Sequence, residues 1–188
     1  MDNRAEILAC ALRLFATRGY DAVGVQEIVD SAGVTKPTLY HYFKSKRGLL
    51  DALLKEHFGQ LQQVIQPAVS YQGDLPLTLN RTVTAYFDFA KDHRAFYRMQ
   101  LAMWFAPPGS DAFKAVASFN TRQHQRLETL FLEAANDHGN MRGRHAAYAA
   151  TFLGMINTYI GLAFNGYGDL DAELAFQATH QFMHGIFS

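Results

Sequence analysis

The chain carries a single cysteine, Cys10, in 188 residues. One thiol cannot close an internal disulfide, which excludes a stapled secreted scaffold and makes a reducing cytoplasm the expected setting. Net charge is also missing, because 17 basic side chains balance 17 acidic ones. Any local bias of charge therefore carries information. No uninterrupted apolar run reaches the length of a membrane span. The opening MDNRAEIL lacks the apolar core of a signal peptide. Internal repeats and low-complexity tracts are absent. No stretch alternates convincingly at period two, so no sheet is expected.

What remains is globular and helical. Apolar residues make up 49% and charged residues 18% of the chain, enough for a sizeable core. Asn3 to Arg18 reads as a first helix, with Asn3 and Glu6 spaced as a capping box. Ile7, Ala11 and Phe15 form one row, Leu8 and Leu12 the next, and Gly19 ends it. Cys10 lies beside this stripe and reads as a small core residue. Val25, Ile28, Val29 and Ala32 give a second helix one apolar stripe. Gly33 can take the left-handed conformation just past it.

Thr35 then reads as the N-cap of a third helix, and Pro37 is tolerated so near its start. Leu39 and Phe43, four apart, point inward. That leaves Lys36, Pro37, Thr38, Tyr40, His41 and Tyr42 outward, a surface unlike the Glu, Lys and Gln of a solvated helix. Between Ser31 and Leu50 stand four basic residues (Lys36, Lys44, Lys46 and Arg47) and no acidic one. A short helix bearing planar hydrogen-bonding groups beside a basic cluster suits a DNA major groove. The lysines are expected to hold phosphates, with Thr38, Tyr40 and the Lys36 stem near base edges.

Residues 7–50 closely resemble the N-terminal DNA-binding domain of TetR-type transcriptional repressors. The resemblance rests on A-x-x-L-F-x-x-x-G-Y (Ala11 to Tyr20), the turn A-G-V (Ala32 to Val34), K-P-T-L-Y-H-Y-F (Lys36 to Phe43) and K-S-K-x-x-L-L (Lys44 to Leu50). It implies that Lys36 to Phe43 is the recognition helix, that the first helix braces it, and that Lys46 clamps a phosphate. Arg4 becomes a candidate backbone contact. Where the family often has Thr or Ser at the start of the second helix, this chain has Gly24 and Val25. Contact there must use backbone amides, and Gln26 is the next side chain able to reach a base. The DNA-binding set is thus Gln26, Thr35, Lys36, Pro37, Thr38, Tyr40, His41, Tyr42 and Lys46.

Beyond about residue 65 the resemblance is only architectural. Ser45 is expected to cap a fourth helix whose stripe runs through Leu50, Leu53, Leu54, Phe58, Leu61 and Ile65. Residues 67–76 read as a break. Helices are then predicted over Leu77–Asp92, Arg94–Phe105, Asp111–Asn136, His145–Phe164 and Ala172–Phe187. The expected fold is all-α: a three-helix helix-turn-helix domain over 1–48, then a helical-bundle domain over 49–188 for ligand binding and dimerisation. Aromatic and methionine residues crowd its first half. Most read as core, but such a lining is also where an apolar pocket sits. Tyr86, Phe89, Met103, Trp104, Phe119 and His124 are the candidate lining, with little polar help beyond Asn120 and Gln123. That points to a mostly apolar or aromatic effector. The predicted helix over 145–164 is apolar nearly all round and threaded with Ala and Gly, and the last adds Phe176, Phe182, Met183, Ile186 and Phe187. A four-helix interface between two copies would cover both.

His180 and His184 stand at i, i+4, a spacing able to bind zinc, but no further ligand is near and H-E-x-x-H is absent. No metal or other cofactor is expected. Nor is there G-x-S-x-G, a P-loop or a dinucleotide fingerprint, so an enzyme is a distant reading. The expected protein is a cytoplasmic homodimeric repressor released from a palindromic DNA operator by a small effector. The alternative is a helical small-molecule binding protein whose head no longer reads DNA.

Overall fold

The structure is a computed structural model and describes residues 2–185. Among them the chain forms nine α-helices and one 3-10 turn, with no strand. The helices are α1 (Asn3–Arg18), α2 (Val25–Ala32), α3 (Lys36–Phe43), α4 (Lys46–Ala68), α5 (Leu75–Asp92), α6 (Arg94–Trp104), α7 (Asp111–Asp137), α8 (His145–Phe164) and α9 (Ala172–His184). The all-α expectation holds. Ile186 and Phe187, expected in the last helix, lie outside the described residues.

Three local expectations are corrected. The cap of α1 is Asp2, whose carboxylate accepts from the Arg4 amide at 3.0 Å. Asn3 is already helical, so the Asn3–Glu6 capping box does not form. Pro67 does not break α4, which continues to Ala68. The helix end is held from α5: Arg81 Nε donates to the Ala68 carbonyl at 3.0 Å and Thr82 Oγ1 at 3.2 Å. Those donors satisfy a carbonyl that helix geometry leaves open. Pro76 lies inside α5 rather than before it. Asp74 caps that helix by accepting from the Leu77 amide at 2.9 Å, and Pro76 sits in the first turn, where an N–H has no partner to lose.

The chain divides into two compact units, residues 1–59 with 95–118, and 60–94 with 119–188. Compactness thus divides the chain differently from the functional boundary expected after residue 48. In the first unit α1 packs on α2 and α3, around Ile7, Ala11, Phe15, Ile28, Leu39 and Leu49, each almost fully buried. Burial of one such side chain stabilises by about 1.5–3 kcal/mol. In the second unit α5 packs on α8 and α9. Phe131, Phe152 and Phe182 form an aromatic cluster there, with ring centroids 5.8 Å and 4.9 Å apart along the row. Arg94 closes the C-terminal end of α8, donating to the Phe164 carbonyl at 2.8 Å while lying over its ring. A cation there also suits the helix dipole.

One described helix, α8, is long and apolar enough to cross a membrane by length and composition, although 33% of that stretch is buried within the protein. Thr, Tyr and Asn interrupt its apolar residues without adding charge. Its inward side, Ala149, Phe152, Leu153, Ile156 and Ile160, is core. Ala147, Ala150, Gly154 and Leu162 lie exposed on the other side, as does Phe176 of α9.

Candidate functional site

The first unit presents α3 as expected. Thr35 caps it: its hydroxyl accepts from the Thr38 amide at 3.4 Å and lies 2.9 Å from the Thr38 hydroxyl. Leu39 and Phe43 are 0% and 5% exposed, and the row they form anchors the helix to α1 and α2. The opposite row, Lys36, Pro37, Tyr40, His41 and Tyr42, is exposed, with Thr38 half-buried. Tyr40 and Tyr42 each show 42% of their surface to solvent. Two exposed phenols on one short helix give hydrogen-bonding edges to a groove without weakening the core. His41 and Tyr42 meet edge to face at 5.2 Å, which limits their freedom before any partner arrives.

The turn into α3 is built by Gly33 at φ 63°, whose amide closes back on α2. The turn out of it is less usual. Lys44 takes φ 65°, a left-handed backbone that side chains rarely adopt. Its Nζ donates to the His41 carbonyl at 3.2 Å, and its own amide to the Tyr40 carbonyl at 3.0 Å. Ser45 then caps α4, its hydroxyl taking the Gly48 amide at 2.9 Å. A β-carbon at Gly48 would overlap the Phe43 carbonyl. The chain can therefore fold back onto the end of α3 only because residue 48 has no side chain. Nothing in the hydrophobic pattern marks either Lys44 or Gly48 as special.

Lys46 is not a free lysine. Its ammonium sits 4.2 Å from the centroid of the Tyr20 ring, a cation–π contact. Burial lowers its pKa and the carboxylates of Asp21 and Asp111 oppose that shift. Tyr20 itself is buried, packed edge to face on Phe15 at 5.2 Å, and burial pushes its hydroxyl pKa up. The G-Y of the first-helix motif thus provides the platform that fixes Lys46 at the start of α4. Arg47, counted with the basic cluster, is neutralised instead: its Nε meets Asp51 at 2.8 Å. Asp51 lies one residue past the acid-free window. Arg4 turns toward Glu56 at 3.8 Å and lies over the Phe43 ring.

The N-cap of α2 is Gly24, which supplies no side-chain hydrogen bond. Gln26 is exposed and its amide donates to Asp30 at 2.7 Å. Cys10 is buried between α1 and α2, its thiol within 3.4 Å of both Glu6 and the Ser31 carbonyl.

The expected effector residues fall in both compact units. Met103 and Trp104 belong to the first; Tyr86, Phe89, Phe119 and His124 belong to the second. Tyr86 and Phe89 are core, and the Tyr86 hydroxyl donates to Gln123 at 3.2 Å. Full burial drives the Tyr86 pKa far up. Phe119 lies under the Arg122 guanidinium at 4.6 Å. Burial lowers the pKa of His124, while Glu128 opposes the shift. The second unit also holds two buried amide oxygens, on Gln60 and Asn120, with no hydrogen-bond partner among the described residues. On α9 the His180 and His184 rings lie 4.5 Å apart on the exposed side.

Residues 7–53 match the family described as bacterial regulatory proteins, tetR family. Over 98 residues the chain is 38% identical to the HTH-type transcriptional activator FasR of Mycolicibacterium smegmatis, covering 52% of this chain and 45% of that protein. Over 72 residues it is 41% identical to the HTH-type transcriptional repressor KstR2 of the same organism, covering 36% and 35%. The matched stretch therefore spans less than half the length of these curated relatives. Solved structures match nearly end to end. The transcriptional regulator FadR from Bacillus subtilis, in complex with stearoyl-CoA, aligns with TM-score 0.80 and 20% identity over 97% of this chain and 98% of its own. The fatty acid degradation regulator FadR from Bacillus halodurans aligns with TM-score 0.77 and 18% identity over 100% and 97%. At such identity these likenesses speak for the fold alone.

Proposed function

We propose that this chain, which belongs to the tetR family of bacterial regulatory proteins, is a homodimeric one-component repressor of transcription in the cytoplasm. The observation that carries the reading is the exposed row Lys36, Pro37, Tyr40, His41 and Tyr42, set on a helix anchored by Leu39 and Phe43. That helix enters the major groove of a palindromic operator. Lys36, Thr38 and Tyr40 meet base edges, and Lys46 meets a phosphate from its seat on Tyr20. The backbone amides opening α2 meet another phosphate.

Two copies join through α8 and α9. The exposed Ala147, Ala150, Gly154, Leu162 and Phe176 support this, because small residues let backbones approach and a large exposed Phe needs cover. The dimer presents two recognition helices one DNA turn apart.

The effector is small and mostly apolar or aromatic. It binds in the second unit around Tyr86, Phe89, Phe119 and His124. The unpartnered side-chain oxygen of Asn120, next to Phe119 in α7, supports a ligand there, since a hydrogen-bond donor on it relieves a cost of about 1–3 kcal/mol for a buried orphan. A similarly folded regulator binds stearoyl-CoA, whose acyl chain is apolar although its head is charged. The effector acts by favouring a dimer whose heads are wrongly spaced. Moving that equilibrium from 1:99 to 99:1 takes about 5.5 kcal/mol of differential affinity.

The test is fluorescence anisotropy of the purified protein on DNA from its own upstream region, against a random duplex and across salt. Tight, sequence-dependent binding that weakens steeply with salt is expected. If selection from random duplexes also yields no preferred sequence, the head does not read DNA and the reading falls.

A further inference from the structure

The second unit holds a cleft of about 580 Å³ where α5 begins, α7 ends, and α8 and α9 run alongside. That volume lies inside the range of about 300–1,000 Å³ usual for small-molecule sites. Its walls are aromatic and thioether. Phe131 stands between Tyr148 and Phe182, with ring centroids 5.7 Å and 6.0 Å away; Met141 and Met183 add thioethers, and Leu75, Pro76 and Leu79 line the α5 side. These flat and polarisable surfaces suit an aromatic ring.

The polar groups of the cleft are unequal. Thr151 spends its hydroxyl on the Ala147 carbonyl at 2.9 Å, and the Gln181 side-chain oxygen accepts from Tyr159 at 3.1 Å. His138 is different: its Nε2 is buried and has no hydrogen-bond partner among the described residues. None of the lining residues is acidic. From His138 to Gly168 the chain has no Asp or Glu, while Arg142 and Arg144 follow His138 closely. An apolar slot with an unpaired imidazole nitrogen and no carboxylate on its walls is a place for a negative head on a flat body.

We propose that this cleft binds an aromatic carboxylate, its ring between Phe131, Tyr148 and Phe182 and its carboxylate taking a hydrogen bond from His138. The site shares no residue with the proposed effector core and does not depend on DNA binding. Calorimetric titration of the full-length protein with 2-naphthoate and, separately, 2-naphthalenemethanol tests it. The acid is expected to bind about tenfold tighter than the alcohol, the gain of one charge-assisted hydrogen bond. His138→Phe should erase that preference and keep the alcohol's affinity. Thr151→Trp at the rim should block both probes, and Pro76→Trp does the same from the α5 side should the first variant lose its helical circular dichroism. Failure of the wild type to bind naphthoate overturns the site. So does binding that survives in both folded rim variants, or a preference that persists without His138.

Discussion

Gly48, in the first turn of α4, lies so close to the carbonyl of Phe43, the last residue of α3, that a β-carbon on it would overlap that oxygen. The approach is forced by the left-handed turn at Lys44 and locked by the Ser45 hydroxyl on the Gly48 amide. The missing side chain thus sets the spacing between α3 and α4. Gly48→Ala has to push the two apart, and the obstacle is backbone rather than a mobile side chain. A loss of about 1–3 kcal/mol is expected from such overpacking. Thermal melting by circular dichroism reads it, and an unchanged melting temperature means the contact is not needed.

Lys46 offers a second prediction, because its ammonium is already positioned over Tyr20. Lys46→Ala should weaken binding to every duplex alike and reduce the salt slope by about one unit, the mark of one lost phosphate contact. Tyr20→Leu should weaken binding with the slope retained, since the charge survives but its seat does not. An unaltered slope in Lys46→Ala would remove the lysine from phosphate contact.

The two rows of α3 can be separated by where each substitution is felt. Leu39 is 0% exposed, so Leu39→Ala should cost about 2–5 kcal/mol of stability. Tyr40→Ala should change stability by no more than about 0.5 kcal/mol. It should nevertheless cost about 1–3 kcal/mol of operator affinity while sparing the random duplex, and Lys36→Ala should do likewise. Equal losses on both duplexes would place these side chains on phosphates rather than bases.

These rows were readable in the sequence because they depend on neighbours three and four residues away. Leu39 and Phe43 point inward for the same reason that Lys36, Tyr40 and His41 point out. Features made by tertiary contact were not readable. Arg47 counted as a free cation; beside its local pair with Asp51, the fold brings the Asp111 carboxylate to 4.0 Å, a partner 64 residues away that no local pattern marks. Pro67 read as a breaker because the groups that hold its helix end, Arg81 and Thr82, stand thirteen and fourteen residues beyond the accepting Ala68. Gly48 carries no pattern at all, since its requirement comes from the turn before it. The ligand region was least legible, because Tyr86 and Phe89 have the spacing of core residues and are core. The cleft beside His138 draws its walls from four helices far apart in the chain.

The outer side of α9 gives a prediction about assembly. Phe176 is 60% exposed in the single chain, on the same helix side as His180. Phe176→Asp leaves the fold of one chain intact and places a charge where a second copy would cover it. Sedimentation velocity should show the wild type at twice the chain mass and the variant shifted toward one chain. Operator affinity should fall with it, because two linked heads bind far more tightly than one. A variant that still sediments as a dimer moves the interface away from this residue.

His124 links stability to pH with a definite sign. Burial lowers its pKa in the folded chain, with Glu128 opposing, from the ordinary value of 6.5. The unfolded chain therefore takes up the proton first as pH falls. Stability is fully present above about pH 6.5 and declines as pH drops from there toward the depressed folded value. His124→Gln keeps a hydrogen-bonding side chain without the titration. Denaturant unfolding at a series of pH values should show the wild type losing stability across that acid window faster than the variant, with the two curves parallel above it. Parallel curves throughout would mean that the imidazole titrates alike in both states. If the effector also seats beside His124, its affinity should fall over the same window, because protonation then places a charge in the wall of an apolar site.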